Sequence, residues 1–275
     1  MSEQEPQFLT VGSGKFTRRI AWRRSASGQA GGPQAGGPGI VWMSGLRSDM
    51  LGTKANAVAG WAEQNGRSCL RFDYSGHGES EGRFEDGTIG QWLEESIAAI
   101  SGLTQGPQIL IGSSMGGWLA LLILRGLAMG RVRLGPASVA GAILIAPAWD
   151  MTEELMLKEM KPQARRVLET QGVWYRPSQY GTEPYPITHH LIEEGRNHLI
   201  GEASFDPGVP VHVLQGLEDT DVPWRHAASL DRLIDGNRLT TYFVRDGDHR
   251  LSRPQDIDRL LRLLGELSAK VSRTA

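Results

Sequence analysis

The chain has 275 residues, with 29 Lys and Arg against 31 Asp and Glu and a formal net charge of -2. That balance lacks the basic excess that nucleic acid or an anionic membrane surface demands. A single cysteine, Cys69, excludes an intramolecular disulfide and fits a reducing compartment best. A chain this long buries a core without a metal or disulfide staple, and α/β folds often run to ~250 residues as one domain.

The N-terminal decapeptide MSEQEPQFLT carries two glutamates and no apolar run. It has neither the apolar region of a signal peptide nor the arginine-rich character of a transit peptide. The longest fully apolar run, residues 118–124, is far short of the ~20 residues a membrane span needs. The expectation is a soluble cytoplasmic protein with no stable membrane insertion. Residues 28–39 (GQAGGPQAGGPG) cannot bury a core face and read as an extended hairpin or crossover loop.

Beyond that loop, apolar runs alternate with segments of helical spacing. Strands are expected at 39–43, 68–72, 108–111, 140–145, 210–214 and 240–244. Helices are expected at 55–64, 89–103, 116–127 and 256–269. Such alternation predicts an α/β protein with a mostly parallel central sheet and helices on both faces. Residues 148–205 break the pattern with charges, prolines and short helical stretches at 151–160 and 163–171. An excursion that long between core strands is expected to be a cap or lid, inserted in a single domain spanning 1–275.

The segment with the sharpest chemistry is Gly112-Ser-Ser-Met-Gly116, a G-x-S-x-G pattern. Here it follows an apolar strand and opens an apolar helix, as in the nucleophile turn of the α/β-hydrolase fold. Residues two before and two after the nucleophile must be small for that turn to close. Ser114 has Gly112 and Gly116 in those places, whereas Ser113 has Ile111 and Met115. Ser114 is therefore the expected nucleophile.

A serine hydroxyl needs a base to take its proton, and the base needs an orienting acid. The fold's chain order is serine, acid, histidine. Of seven histidines only His249 stands just after the last expected strand. His212 lies inside a strand, His189, His190 and His198 lie in the expected cap, and His226 opens a helix. His77, in a Gly-rich loop, is placed to contact substrate. For the acid, Glu218, Asp219, Asp221 and Asp248 compete. Spacing after the strand at 210–214 favours Asp219, with Asp221 its rival. The oxyanion hole is expected from the N–H groups of Met115, after the nucleophile, and Leu46, in the Ser44-Gly-Leu-Arg47 loop.

Substrate contacts are expected from Gly45, Trp118, Trp149 and Trp174. Met151, Met156 and Met160 with those last two tryptophans form either an acyl pocket or ordinary cap packing. No metal or cofactor is expected.

Arg71-Phe-Asp-Tyr-Ser-Gly-His-Gly-Glu-Ser resembles a strand-loop signature of α/β-hydrolases. Further stretches are similar to one branch of that superfamily: Gly52-Thr-Lys-Ala, residues 106–118 (GPQILIGSSMGGW), Gly172-Val-Trp, Val222-Pro-Trp and Asp248-His-Arg. The branch is the α/β-hydrolase domain-containing protein ten group, mitochondrial palmitoyl-protein thioesterases also described as acyl-glucuronide esterases. The likeness runs from about residue 40 to the C-terminus. It implies a triad of Ser114, Asp219 and His249 and a thioesterase activity. The expectation for the whole chain is cleavage of carboxylic esters or thioesters of a small-molecule or acylated substrate, by a monomer or homodimer. A cofactor-free haloperoxidase or a carbon–carbon bond hydrolase keeps the same triad, and a non-catalytic binding protein on this fold would have lost a member of it.

Overall fold

In the computed structural model, residues 5–25, 37–177 and 184–273 are described. Its strands and helices run in the order β1 (Gln7–Val11), β2 (Arg18–Ser25), β3 (Gly39–Met43), α1 (Thr53–Gln64), β4 (Cys69–Phe72), α2 (Ile89–Leu103), β5 (Gly106–Ser113) and α3 (Met115–Ala128). They continue with β6 (Ala137–Ile145), α4 (Pro162–Gln171), β7 (Val173–Arg176), β8 (Tyr185–Thr188), α5 (His189–Gly195), β9 (Val211–Gly216), α6 (Trp224–Ala228), β10 (Leu239–Val244) and α7 (Pro254–Ser272). The expected strands and helices beyond residue 39 are all present, most of them a few residues longer than the apolar runs that announced them.

Eight strands form one sheet, ordered β1-β2-β4-β3-β5-β6-β9-β10. β1 with β2 and β2 with β4 pair antiparallel, and every other neighbouring pair is parallel. β2 and β3 flank β4 instead of pairing with each other. The 28–39 connection is thus a crossover and not a hairpin, while residues 26–36 themselves lie outside the described residues.

Both faces of the sheet are apolar because successive side chains alternate sides. On β3, Val41 and Met43 join one core and Ile40 and Trp42 the other; on β5, Leu110 faces the first and Ile109 and Ile111 the second. The first core is closed by α2 and α3, the second by α1 and α7. α7 is amphipathic, with Leu260, Leu263, Leu264, Leu267 and Val271 at three- and four-residue spacing. α3 is buried over Met115–Leu124 without a polar stripe, as a helix walled in on all sides must be.

Four strands were not expected: β1, β2 and the β7–β8 pair. β2 reads RRIAWRRS, and its arginines find distant partners: Arg18 with Glu94 and Glu95, Arg23 with Glu79. The segment between β6 and β9 holds a π-helical turn (Thr152–Leu157), α4, the β7–β8 hairpin and α5. Its two ends leave neighbouring strands. They are tied at the base by Asp150, a buried carboxylate that accepts the Ile200 and Gly201 N–H groups at 2.7 and 2.9 Å.

Candidate active site

β5 ends and α3 begins on either side of Ser114, which sits at φ 53° and ψ −115°. A non-glycine residue with positive φ is strained and persists only where its surroundings over-determine it. Here the turn is fastened by four backbone bonds: Ser114 N–H to the Ile145 carbonyl at 2.8 Å, and the Gly117, Ala148 and Trp118 N–H groups to the Ser114 carbonyl at 2.9, 3.1 and 3.3 Å. The flanking glycines are obligatory for space. A Cβ on Gly112 would strike the Gly116 carbonyl, and one on Gly116 the Met43 carbonyl. The small-neighbour requirement that singled out Ser114 over Ser113 is therefore met by backbone packing.

His249 lies in the turn after β10. Its Nε2 stands 3.2 Å from Ser114 Oγ and its Nδ1 2.9 Å from Asp219 Oδ2. The Asp219 side chain is fully buried, and Oδ1 accepts the Asp221 and Val222 N–H groups at 2.9 and 2.8 Å. Oδ2 also accepts the Gln215 side-chain amide at 3.1 Å. A carboxylate can only accept, so His249 Nδ1 carries the proton and Nε2 offers its lone pair to the serine hydroxyl. Asp221, the rival acid, points elsewhere and meets Arg176 of β7 at 3.4 Å. Asp248 is occupied in capping its own turn, accepting Leu251 N–H at 2.9 Å.

Ser114 and His249 open into a cavity of about 640 Å³. One wall is the loop after β3, with Gly45, Leu46 and Arg47. Arg47 has a left-handed φ of 56°, and Ser48 N–H closes the turn onto the Gly45 carbonyl at 3.1 Å. The N–H groups of Leu46 and Met115 take part in no hydrogen bond among the described residues. A second wall is apolar: Leu155 and Met156 from the π-helical turn, with Met151 at its N-terminal cap and Ala148. A third holds Arg176, Tyr185 and Asp221, and the floor beside His249 holds Lys54, Arg250 and Ser252.

The three tryptophans expected to touch substrate do not line this cavity. Trp118 is fully buried beneath the sheet face, one helical turn past the serine and inside the apolar core. Trp149 stacks on His226 at 4.6 Å between centroids and donates to the His226 carbonyl at 3.1 Å. Trp174 packs against the core from β7. Met160 likewise joins the core, leaving Met151 and Met156 as the cavity methionines. Gly45 does line the cavity.

His77 is buried among Tyr74, Phe84 and Trp92 and borders only a smaller neighbouring cavity. Burial pushes its pKa down to about 4. Lys54, Arg176, Tyr185 and Arg47 line the main cavity without having been expected there. For Lys54 the signal was present in the Gly52-Thr-Lys-Ala stretch; for Arg176 and Tyr185 it was lost with the unrecognised hairpin.

A family model described as serine aminopeptidase, S33, matches residues 40–194. The human palmitoyl-protein thioesterase ABHD10, mitochondrial, is 33% identical over 236 residues, covering 86% of this chain and 74% of the human protein. The crystal structure of a putative hydrolase from Agrobacterium vitis S4 superposes with a TM-score of 0.89 at 41% identity, over 96% of this chain and 98% of that one. Mouse α/β-hydrolase domain-containing protein 10 superposes with a TM-score of 0.79 at 28% identity, over 96% and 98%. No helix among the described residues is long and apolar enough to cross a membrane. With its mostly parallel sheet, its strand-turn-helix around Ser114 and these relatives, the chain belongs to the α/β-hydrolases, in the serine aminopeptidase S33 family and with ABHD10 among its relatives.

Proposed function

We propose that this hydrolase cleaves carboxylic esters or thioesters through an acyl-enzyme on Ser114. The observation that carries the reading is the continuous line Ser114 Oγ, His249 Nε2, His249 Nδ1, Asp219 Oδ2, with steps of 3.2 and 2.9 Å. His249 takes the serine proton as Oγ attacks the carbonyl carbon. The Leu46 and Met115 N–H groups receive the developing oxyanion, and the N-terminus of α3 favours the negative charge. His249, now charged beside Asp219, protonates the departing alcohol or thiol. Water then repeats the sequence and releases the acid.

Residues 148–205 serve in this reading as a cap that supplies substrate contacts, and Met151, Leu155 and Met156 form an apolar acyl wall. Thioesters enter the proposal through the thioesterase name of the ABHD10 relatives. Matched oxygen esters, thioesters and acyl glucuronides compared side by side test it. Turnover of an ester or thioester that disappears in Ser114→Ala supports the reading, and equal turnover in the variant refutes it. Cofactor-free peroxidation and carbon–carbon cleavage use the same triad and are excluded by the same substrate panel if ester turnover dominates.

A further inference from the structure

We propose that Lys54 is a positioning residue, whose ammonium holds the His249 turn against Ser114 by gripping the Arg250 carbonyl and the Ser252 hydroxyl. The inference rests on the Ser114–His249–Asp219 reading and adds a member outside that triad.

His249 is anchored from two sides. On the β9 side, Asp219 takes its Nδ1, and the Glu218 N–H bonds the Gly247 carbonyl at 2.9 Å. On the other side the turn bends sharply, with Leu251 buried at a left-handed φ of 44°. There the Arg250 carbonyl, one peptide unit past His249, accepts from Lys54 Nζ and from Ser252 Oγ, the latter at 2.9 Å. Lys54 Nζ also donates to Ser252 Oγ at 3.2 Å, so one amine, one carbonyl and one hydroxyl close a triangle. Lys54 reaches it from the first turn of α1, some 196 residues away in sequence.

Fold stability alone does not account for a lysine there. A cation in the first turn of a helix stands at the wrong end of the helix dipole. Burial, the largest effect, and Arg250 both disfavour its charge, against Asp248 and Asp256, which favour it; the balance brings its pKa down to about 8. Yet its side chain lines the Ser114 cavity together with Arg250 and Ser252. A strained turn carrying the base, held by a charge that the site itself disfavours, is the arrangement expected when the geometry of the turn matters more than its stability. At 3.2 Å, the His249–Ser114 contact has little slack. Misplacement of a catalytic group by about 1 Å costs on the order of 100-fold in rate.

Three enzymes test this on one chromogenic ester: wild type, Lys54→Met, and Lys54→Cys before and after alkylation with 2-bromoethylamine, which rebuilds a lysine-like ammonium. Cys69 does not interfere, being buried with its thiol pushed up to about 12. The expected result is that kcat falls about 10- to 100-fold in Lys54→Met and unmodified Lys54→Cys, with KM little changed, and returns after alkylation. The wild-type rate falls as pH rises through about 8, where the ammonium discharges and its charge-assisted bonds weaken. That limb vanishes in Lys54→Met. Unchanged kcat in Lys54→Met overturns the proposal, as does a rise in KM alone, which would make Lys54 a substrate contact. Failure of alkylation to restore kcat overturns it too. Loss of fluorophosphonate labelling in Ser114→Ala is read separately, so failure of the triad reading and failure of the Lys54 proposal are told apart.

Discussion

Asp219→Asn probes the proposed triad at its most specific point. The carboxylate accepts four hydrogen bonds: Asp221 and Val222 N–H on Oδ1, and the Gln215 amide and His249 Nδ1 on Oδ2. Asparagine keeps the volume and one oxygen. That oxygen stays on the two backbone N–H groups, since a flipped amide would turn its NH₂ toward both. The amide nitrogen then takes the Oδ2 place and donates to His249 Nδ1. The imidazole proton shifts to Nε2, and the base meets Ser114 with an N–H instead of a lone pair. On this reasoning kcat falls about 10⁴-fold, or ~5.5 kcal/mol of barrier.

The same exchange sets the new amide against Gln215 Nε2, donor facing donor. Gln215 Oε1 has no partner among the described residues, so rotating that amide offers an acceptor. The rotation forfeits its bonds to the Gly216 and Val222 carbonyls, both at 3.0 Å. A loss of about 1–3 kcal/mol of stability follows, which differential scanning fluorimetry reads as a lower Tm. Asp221→Asn is the control. Its partly exposed pairing with Arg176 is worth ~0–1 kcal/mol, so kcat should stay within about fivefold. An Asp219→Asn enzyme keeping more than about a tenth of wild-type kcat, or an Asp221→Asn enzyme that falls as far, refutes the assignment.

Other substitutions address the rest of the site. Ser114→Ala should fold normally and lose fluorophosphonate labelling entirely; full labelling by mass spectrometry would move the nucleophile elsewhere. Met156→Trp narrows the apolar wall, and the rate should drop more for long acyl chains than for acetate; a uniform drop across a chain-length series would argue against an acyl groove. Gly116→Ala drives a Cβ into the Met43 carbonyl at the elbow and should abolish activity with a loss of at least ~1–3 kcal/mol of stability in urea unfolding. His77 supplies a pH signature. Its pKa falls from 6.5 to about 4 on burial, so the unfolded chain binds a proton that the folded one refuses. The associated stability, on the order of 3 kcal/mol, is present above pH 6.5 and lost as pH falls toward 4. The stability gap between wild type and His77→Gln should shrink over that window; a gap independent of pH would show that His77 is not buried neutral.

Legibility in the sequence followed the range of the interactions. The elbow was readable because all its requirements are local: an apolar strand, glycines two residues on either side, an apolar helix. The placement of Asp219 beside His249 was readable because it is set by the short turn after β9. β2 was not, because its arginines are neutralised by Glu79, Glu94 and Glu95, 56 to 77 residues away. The β7–β8 hairpin was hidden for a related reason, four-residue strands paired only with each other. The tryptophans misled because nearness in sequence was taken for nearness in space. Trp118 follows Ser114 by one turn of a helix buried on every side, which carries its ring into the core.

Asp150 fastens the first residues after β6 to those leading into β9, where the two strands are already neighbours. The segment between them is therefore a loop closed at its neck. Lengthening such a loop adds only about 0.6 kcal/mol of closure entropy per doubling. The neck sets two costs side by side: a single Cβ on Gly112 or Gly116 at the elbow meets backbone, whereas added length beyond Asp150 meets only that entropy. A change of length in that segment therefore leaves the spacing of β6 and β9 at its base untouched.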